Sequence, residues 1–349
     1  MLFEVTVKAG RGGLRRIFMK IKFIHNYKDI ISVENLLDAW KEFVKGKKFR
    51  LDVQKFQLNL MSNIISLHKD LAERNYKHSL YVPFNISDPK PRNIHKASVR
   101  DRLLHHAIYR KLYPFFDHTF IFDSYSCRIN KGTHKAVNRF WDFVYRVSKN
   151  NTKTVWVLKC DIKKFFASID QNIITKILRQ YISDQDTIWL LSKIIGSFNS
   201  GSNGRGLPLG NLTSQLFVNI YMNELDQFIK HKLKTEYYIR YADDFVILSQ
   251  DKKLLQDTLS KIKNFLLHEL SLELHPNKIS IQTIASGVDF LGWVNFADHK
   301  VLRTSTKKRM LKKFKLNNSV FSLASCLGLL SHGNTHRLKR RIDIGYWKS

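Results

Sequence analysis

Tyr241-Ala242-Asp243-Asp244-Phe245 places two adjacent acids between one apolar, aromatic run (Tyr237, Tyr238, Ile239, Tyr241) and another (Phe245, Val246, Ile247, Leu248). Short apolar runs on either side of a break read as buried strands, so the pattern predicts a hairpin with carboxylates at its tip. Neighbouring carboxylates repel each other unless a cation lies between them. A divalent metal site is the simplest account of the pair, although an isolated Asp-Asp is more commonly a solvated turn or a cap.

A partner for these acids lies far upstream. The segment Thr154 to Ile162 (Thr-Val-Trp-Val-Leu-Lys-Cys-Asp-Ile) is β-branched and aromatic enough to form a strand that ends at Asp161. Pairing of the two segments in one sheet brings Asp161 to Asp243. Two-metal phosphoryl transfer needs two hard cations roughly 3.5 to 4 Å apart, bridged by carboxylates from different strands. One cation activates the attacking oxygen and the other stabilises the leaving one.

Three motifs stand in order: Asp161-Ile162-Lys163-Lys164-Phe165-Phe166, then Gly206-Leu207-Pro208-Leu209-Gly210-Asn211-Leu212-Thr213-Ser214-Gln215, then Tyr241-Ala242-Asp243-Asp244. Each alone has a bland reading as a loop or turn, and the ordered set does not. On these motifs the chain resembles a reverse transcriptase. The resemblance implies an α+β fold of the right-hand polymerase type, with fingers, a palm of antiparallel sheet and helices, and a helical thumb. It also implies nucleotidyl transfer at two Mg²⁺ ions held by Asp161, Asp243 and Asp244, with the backbone carbonyl of Ile162 completing the shell.

The Gly-x-x-x-Ser-Gln form at Gly210 to Gln215, the segment Asp123-Ser124-Tyr125-Ser126-Cys127-Arg128 and Lys131-Gly132-Thr133-His134 are similar to reverse transcriptases of diversity-generating retroelements. In that group the enzyme makes cDNA from a template RNA, miscopies template adenines and serves mutagenic retrohoming. A retron or defence-type reverse transcriptase, and a catalytically idle RNA-binding palm, are the alternative readings. The resemblance further implies dNTP substrates, a cDNA/RNA hybrid as product and a small oligomeric accessory protein as partner.

Composition fits a polyanion partner. With 59 Lys and Arg against 29 Asp and Glu, the formal charge is +30. Such an excess favours nucleic acid, with binding that weakens steeply as salt rises. No basic amphipathic helix with a large apolar face points to a membrane. Cys127, Cys160 and Cys326 are too few for a disulfide framework and form no zinc pair. A reducing cytoplasm, bacterial or phage-encoded, is the expected setting.

The same resemblance assigns roles along the chain. Arg92, in Lys90-Pro91-Arg92-Asn93-Ile94, would grip the incoming triphosphate, since a guanidinium binds phosphate oxygens bidentately; a solvated cation among 59 is the other reading, and Lys90 is the weaker candidate. Phe166 would exclude a 2′-hydroxyl, with Phe165 as its ambiguous neighbour. Leu209 and Gly210 would lie against the nucleotide, and Leu209 stands where accurate enzymes carry Gln. Arg128, Lys131 and His134 stand on a loop expected to follow the template backbone, since cations interleaved with Tyr125 suit phosphates and base stacking, and the resemblance places Gln215 and Trp293 at the template or primer. Lys278, in His275-Pro276-Asn277-Lys278, would protonate the leaving pyrophosphate, while Phe290-Leu291-Gly292-Trp293 resembles the primer grip; a surface lysine and a core tryptophan remain open.

Residues 1–18 carry cations and Gly10-Arg11-Gly12-Gly13, and they are expected to be a flexible, dispensable arm. N-terminal helices and fingers follow over 19–150, with helices from Ser32, through 50–75 and over 99–115 up to Pro114, where the last ends. A palm is expected over 151–294, with Asp170 capping a helix over Gln171–Gln180 and Thr213 or Ser214 capping another. Residues 295–349 read as a basic helical thumb: Lys300 to Arg341 hold twelve Lys or Arg and no acid. The length leaves no expected RNase H, maturase or endonuclease domain.

Overall fold

The computed structural model describes residues 2–9, 13–87, 91–201, 203–316 and 319–347. Among them eleven strands follow in chain order: β1 (Leu2–Ala9), β2 (Gly13–Lys20), β3 (Val82–Ile86), β4 (Arg92–Lys96), β5 (Trp156–Asp161), β6 (Tyr238–Tyr241), β7 (Asp244–Ser249), β8 (Ser280–Thr283), β9 (Val288–Phe290), β10 (Trp293–Asn295) and β11 (Lys300–Leu302). Helices make up most of the rest, so the class is the expected mixture of helix and antiparallel sheet. The chain divides into two compact units that interleave along the sequence rather than following one another as contiguous blocks. One comprises Met1–Ile121, Lys163–Gln227 and Phe265–Leu272, and the other Phe122–Ile162, Phe228–Asn264 and Glu273–Ser349.

The second unit is built on a four-stranded antiparallel sheet in the order β6-β7-β5-β8. Central β7 is buried at Phe245, Val246, Ile247 and Leu248, the continuous apolar run of a strand covered on both faces. The helix Thr133–Val147 packs on this sheet through Ala136, Val137, Phe140, Phe143, Val144 and Val147, spaced three and four apart so that they share one face. Phe290, Trp293, Leu302, Met310 and Phe314 continue the same core, which ties the small sheet β11-β10-β9 and the basic segment to the palm strands. Leu316, Val320 and Phe321 of the basic segment are exposed.

The first unit is helical around the β3-β4 hairpin. Ser32 caps Val33–Phe43 by accepting from the Asn35 N–H, and Leu36, Trp40 and Phe43 of that helix are buried. Asp170 caps Gln171–Tyr181 from its side chain to the N–H groups of Asn172 and Ile173, as expected. Three boundaries differ from the sequence reading. The helix Val99–Thr119 runs through Pro114, because burying Leu112, Tyr113 and Phe116 outweighs one lost hydrogen bond. The stretch over 50–75 breaks at Asn59 into Leu51–Leu58 and Leu60–Ala72. Thr213 and Ser214 lie inside Leu212–Gln227 and are buried, so neither is its cap.

The segment expected to be a flexible arm forms the antiparallel pair β1-β2, joined by no other strand among the described residues. A lone two-stranded hairpin is marginally stable in water. No described helix is long and apolar enough to cross a membrane.

Candidate active site

The acidic tip is a two-residue turn. Tyr241 faces Asp244 across the β6-β7 hairpin, leaving Ala242 and Asp243 as the loop. Ala242 adopts φ +56°, a left-handed conformation that costs an alanine roughly 1–2 kcal/mol. Arg240 holds that turn. It is fully buried, its Nη1 donates to the Ala242 carbonyl at 3.1 Å and its Nη2 to Ser124 Oγ at 3.1 Å.

Register brings the upstream acid to the hairpin, opposite Asp244 rather than Asp243. In the β5-β7 ladder Asp161 lies directly opposite Asp244, and the Ile162 N–H reaches the Asp243 carbonyl at 3.3 Å. The His275 N–H donates to the Asp161 carbonyl at 2.8 Å, which brings the Pro276–Lys278 turn to the same strand end. Lys278 Nζ lies 2.7 Å from Asp161 Oδ1. Asp161, Ile162, Asp243, Asp244 and Lys278 therefore meet at one end of the palm sheet.

The charges are unequal in their surroundings. Asp244 Oδ1 is buried and without a hydrogen-bond partner among the described residues, while Oδ2 is 3.9 Å from Lys159 Nζ. Burial pushes the Asp244 carboxyl up to about 7, against the pull of the Lys159 ammonium, with Asp161, Asp243 and Asp289 adding to the rise. A buried carboxylate oxygen with no donor, set among three further acids, is suited to a cation. No three His, Cys, Asp or Glu side chains among the described residues already converge as a cage. The donor set is nevertheless all oxygen, which suits Mg²⁺, an ion that takes one or two carboxylates and keeps its waters. Asp161, Asp243 and Asp244 fit that role, with the Ile162 backbone joined to the Asp243 carbonyl through its N–H.

Within the other unit, the β3-β4 hairpin and the glycine loop are brought together. The His95 N–H donates to the Leu209 carbonyl at 3.0 Å, and Asn211 Nδ2 donates to the His95 carbonyl at 3.0 Å. A Cβ on Gly210 would lie 2.7 Å from Ile94 Cγ2, and Gly210 has φ +101°, so both space and conformation require glycine there. Phe165 is buried and Phe166 only partly so, at the start of the short helix Phe165–Ser168 rather than on a strand, which leaves Phe166 as the more outward ring. Arg92 is exposed on β4, Leu209 and Gln215 are half-buried, and Lys90 lies outside the described residues.

Two readings are corrected. Tyr125 is buried and cannot stack on a base, because Asp123 to Tyr125 run alongside β6: the Arg240 N–H donates to the Asp123 carbonyl and the Tyr125 N–H to the Arg240 carbonyl. Arg128 Nη1 donates to the Ser124 carbonyl and Lys131 Nζ to the Phe122 carbonyl, so in this structure both serve the loop itself. Trp293 is 2% exposed and belongs to the core of its hairpin rather than to a contacting surface. Lys159 and Arg240 were overlooked. The signal for Lys159 was its position two residues before Asp161, on the same face of a strand; nothing local marks Arg240 as buried.

Residues 85–294, more than half of the chain, match the family described as reverse transcriptase (RNA-dependent DNA polymerase). Protein YkfC of Escherichia coli (strain K12) is 24% identical over 294 residues, covering 72% of this chain and 74% of that protein. The group II intron-encoded protein LtrA of Lactococcus lactis subsp. cremoris is 24% identical over 289 residues, covering 63% of this chain and 46% of LtrA. A solved telomerase of Candida albicans aligns at a TM-score of 0.48 and 13% identity over 79% of this chain and 58% of that one. With the family match spanning the Asp161, Gly210 and Asp243 motifs in one run, the chain belongs to the reverse transcriptase family.

Proposed function

We propose that this chain is an RNA-directed DNA polymerase that extends a primer on an RNA template from dNTPs. The observation that carries the reading is the register of Asp161 against Asp244, with Asp243 in the adjoining turn, on a chain of this family. Bound divalent cations would supply Lewis-acid activation of the attacking 3′-oxygen and neutralise charge on the leaving pyrophosphate. Asp161, Asp243 and Asp244 would hold them. Lys159 balances the acids from within the sheet, and Lys278, paired with Asp161, would serve the departing pyrophosphate as general acid. Phe166 would exclude a 2′-hydroxyl, the Gly210 backbone would admit the nucleotide closely, and Arg92 would meet its phosphates.

A finer reading is low fidelity opposite template adenine, as in diversity-generating retroelements with an accessory protein. Its support is Leu209, an apolar side chain beside Gly210, together with the Gly-x-x-x-Ser-Gln form. The test is Mg²⁺-dependent dNTP incorporation on a primed RNA containing all four bases, beside Asp243→Asn, with the products sequenced. Incorporation lost in the variant supports the polymerase, and errors concentrated opposite adenine support the finer reading. Equal error rates at all four template bases would remove it.

A further inference from the structure

We propose that the loop Ser331–Thr335, between the helices Val320–Leu330 and His336–Trp347, is a clip that sets the position of the β9-β10-β11 sheet, with Gly333 as its positioning residue. The inference rests on the polymerase reading only in naming what that sheet supports, the growing primer end.

Gly333 is required for space and not for conformation. Its backbone is outside the left-handed region, yet a Cβ there would lie 2.2 Å from Trp293 Cζ3, 2.8 Å from Cη2 and 3.0 Å from Cε3. All three atoms belong to the six-membered ring of an indole that is 2% exposed and cannot swing aside. The loop backbone therefore packs directly against the Trp293 ring, at the residue where β10 begins.

Asn334 then closes the edge of the sheet. Strand β11 is terminal in the order β11-β10-β9, so its outward N–H and C=O groups need partners. The Asn334 N–H donates to the Lys300 carbonyl at 2.9 Å, and Asn334 Oδ1 accepts from the Lys300 N–H at 3.4 Å. One asparagine thus pairs both backbone groups of Lys300, as a further strand would. Thr335 is buried, and its hydroxyl donates to the Leu330 carbonyl at 2.5 Å, which fixes the turn leaving the preceding helix.

The same loop is anchored on the palm side. The His332 ring stacks on His134 at the start of helix Thr133–Val147, with centroids 3.7 Å apart and planes at 21°. Lys300 Nζ reaches Asn138 Oδ1 on that helix at 3.3 Å, and Trp141 Nε1 donates to Asn295 Oδ1 of β10 at 2.9 Å. Helix, clip and sheet form one closed set of contacts. A thumb helix that shifts when duplex is engaged would carry the sheet with it through Gly333 and Asn334.

The test compares wild type with Gly333→Ala and Asn334→Ala in steady-state extension, together with hydrogen exchange of the amides over 288–302. Gly333→Ala is expected to raise KM for the primer–template on the order of tenfold or more while leaving KM for dNTP within about twofold. Adding Trp293→Leu to Gly333→Ala is expected to restore part of that loss by making room for the new methyl group. Asn334→Ala overpacks nothing, so it should fold even where Gly333→Ala does not, and it should speed exchange at Lys300. If both variants lower kcat with both KM values unchanged, or leave exchange over 288–302 as in wild type, the clip is wrong. Should wild type itself incorporate nothing, the polymerase reading fails alone, and the exchange data still decide the clip.

Discussion

Asp244 Oδ1 shows how a single atom constrains the chemistry. A carboxylate oxygen buried without a partner costs roughly 1–3 kcal/mol or more, and a fold keeps such a group where a ligand completes it. Removing one charge at the tip therefore strikes function before stability. Asp243→Asn or Asp161→Asn is expected to lower kcat by about a thousandfold or more, near 4 kcal/mol, with the unfolding midpoint unchanged. Primer-extension rates and thermal melts of the two variants check this, and a variant with more than a tenth of wild-type activity contradicts it. Phe166 is separable from the acids. Phe166→Ala should reduce discrimination between dNTP and rNTP on the order of tenfold to a hundredfold with dNTP incorporation largely kept, as read by single-nucleotide competition. The meeting of the acids was legible in the sequence only through the ordered set of motifs, since an isolated Asp-Asp has a bland reading as a turn or cap. Which of Phe165 and Phe166 is buried was not, because the pair opens the short helix Phe165–Ser168 and not the strand that a two-residue alternation assumes.

At the scale of one element, the helix Val99–Thr119 stores a pH dependence that has nothing to do with catalysis. His105 is 1% exposed, and burial, helped by neighbouring His78 and opposed by Asp101, lowers its pKa from the usual 6.5 to about 3. His106 falls to about 4, again through burial first and then Lys47 and Arg102. A histidine whose folded pKa is depressed takes up its proton in the unfolded chain first, so stability is lost as pH falls below about 6.5 toward the folded value. Asp101 acts in the same direction: burial raises its carboxyl, but the Ser98, His78 and Tyr76 contacts win and leave it below the ordinary value. Between pH 7 and pH 5 His105 alone should remove about 2 kcal/mol. Urea unfolding at pH 7, 6 and 5 should show a shallower loss for His105→Gln than for wild type; parallel curves would contradict the assignment. The helix itself was readable from its apolar spacing, whereas its passage through Pro114 was not. A local rule stops a helix at proline, and only packing of Phe116 beyond it, a contact set by distant residues, carries the helix on. For the same reason Tyr125 read as an accessible ring: its burial depends on the non-local pairing of Tyr125 with Arg240.

For the whole chain the governing quantity is the formal charge of +30. Composition made that property plain from the start, yet it could not say where cations stand free. The two units interleave along the sequence, so each compact body gathers segments that lie far apart in the chain. The pairing of β5 with β7 was expected from the acids at their ends, whereas no local pattern marks the pairing of β5 with β8 on its other side. Side-chain placement supplies what composition lacks. On the helix Thr304–Leu316, Met310 and Phe314 are buried while Lys308, Lys312 and Lys313 are exposed, so the burial of one face aims the cations of the other outward. Cations held this way bind phosphates by releasing counterions, with a slope of log affinity against log salt of about −0.7 per phosphate for single strands and about −0.9 for duplex DNA. Replacing Lys308, Lys312 and Lys313 together by Gln should therefore reduce the slope by roughly 2 to 3, if each meets one phosphate. Because these contacts read no base edge, the loss should be alike for hybrids of different sequence. Filter binding of a labelled RNA–DNA hybrid from 50 to 300 mM salt, at two unrelated sequences, measures both quantities. An unchanged slope would show that this face meets no nucleic acid and that the charge is spent elsewhere; a loss confined to one sequence would mean that these lysines read bases and not the backbone.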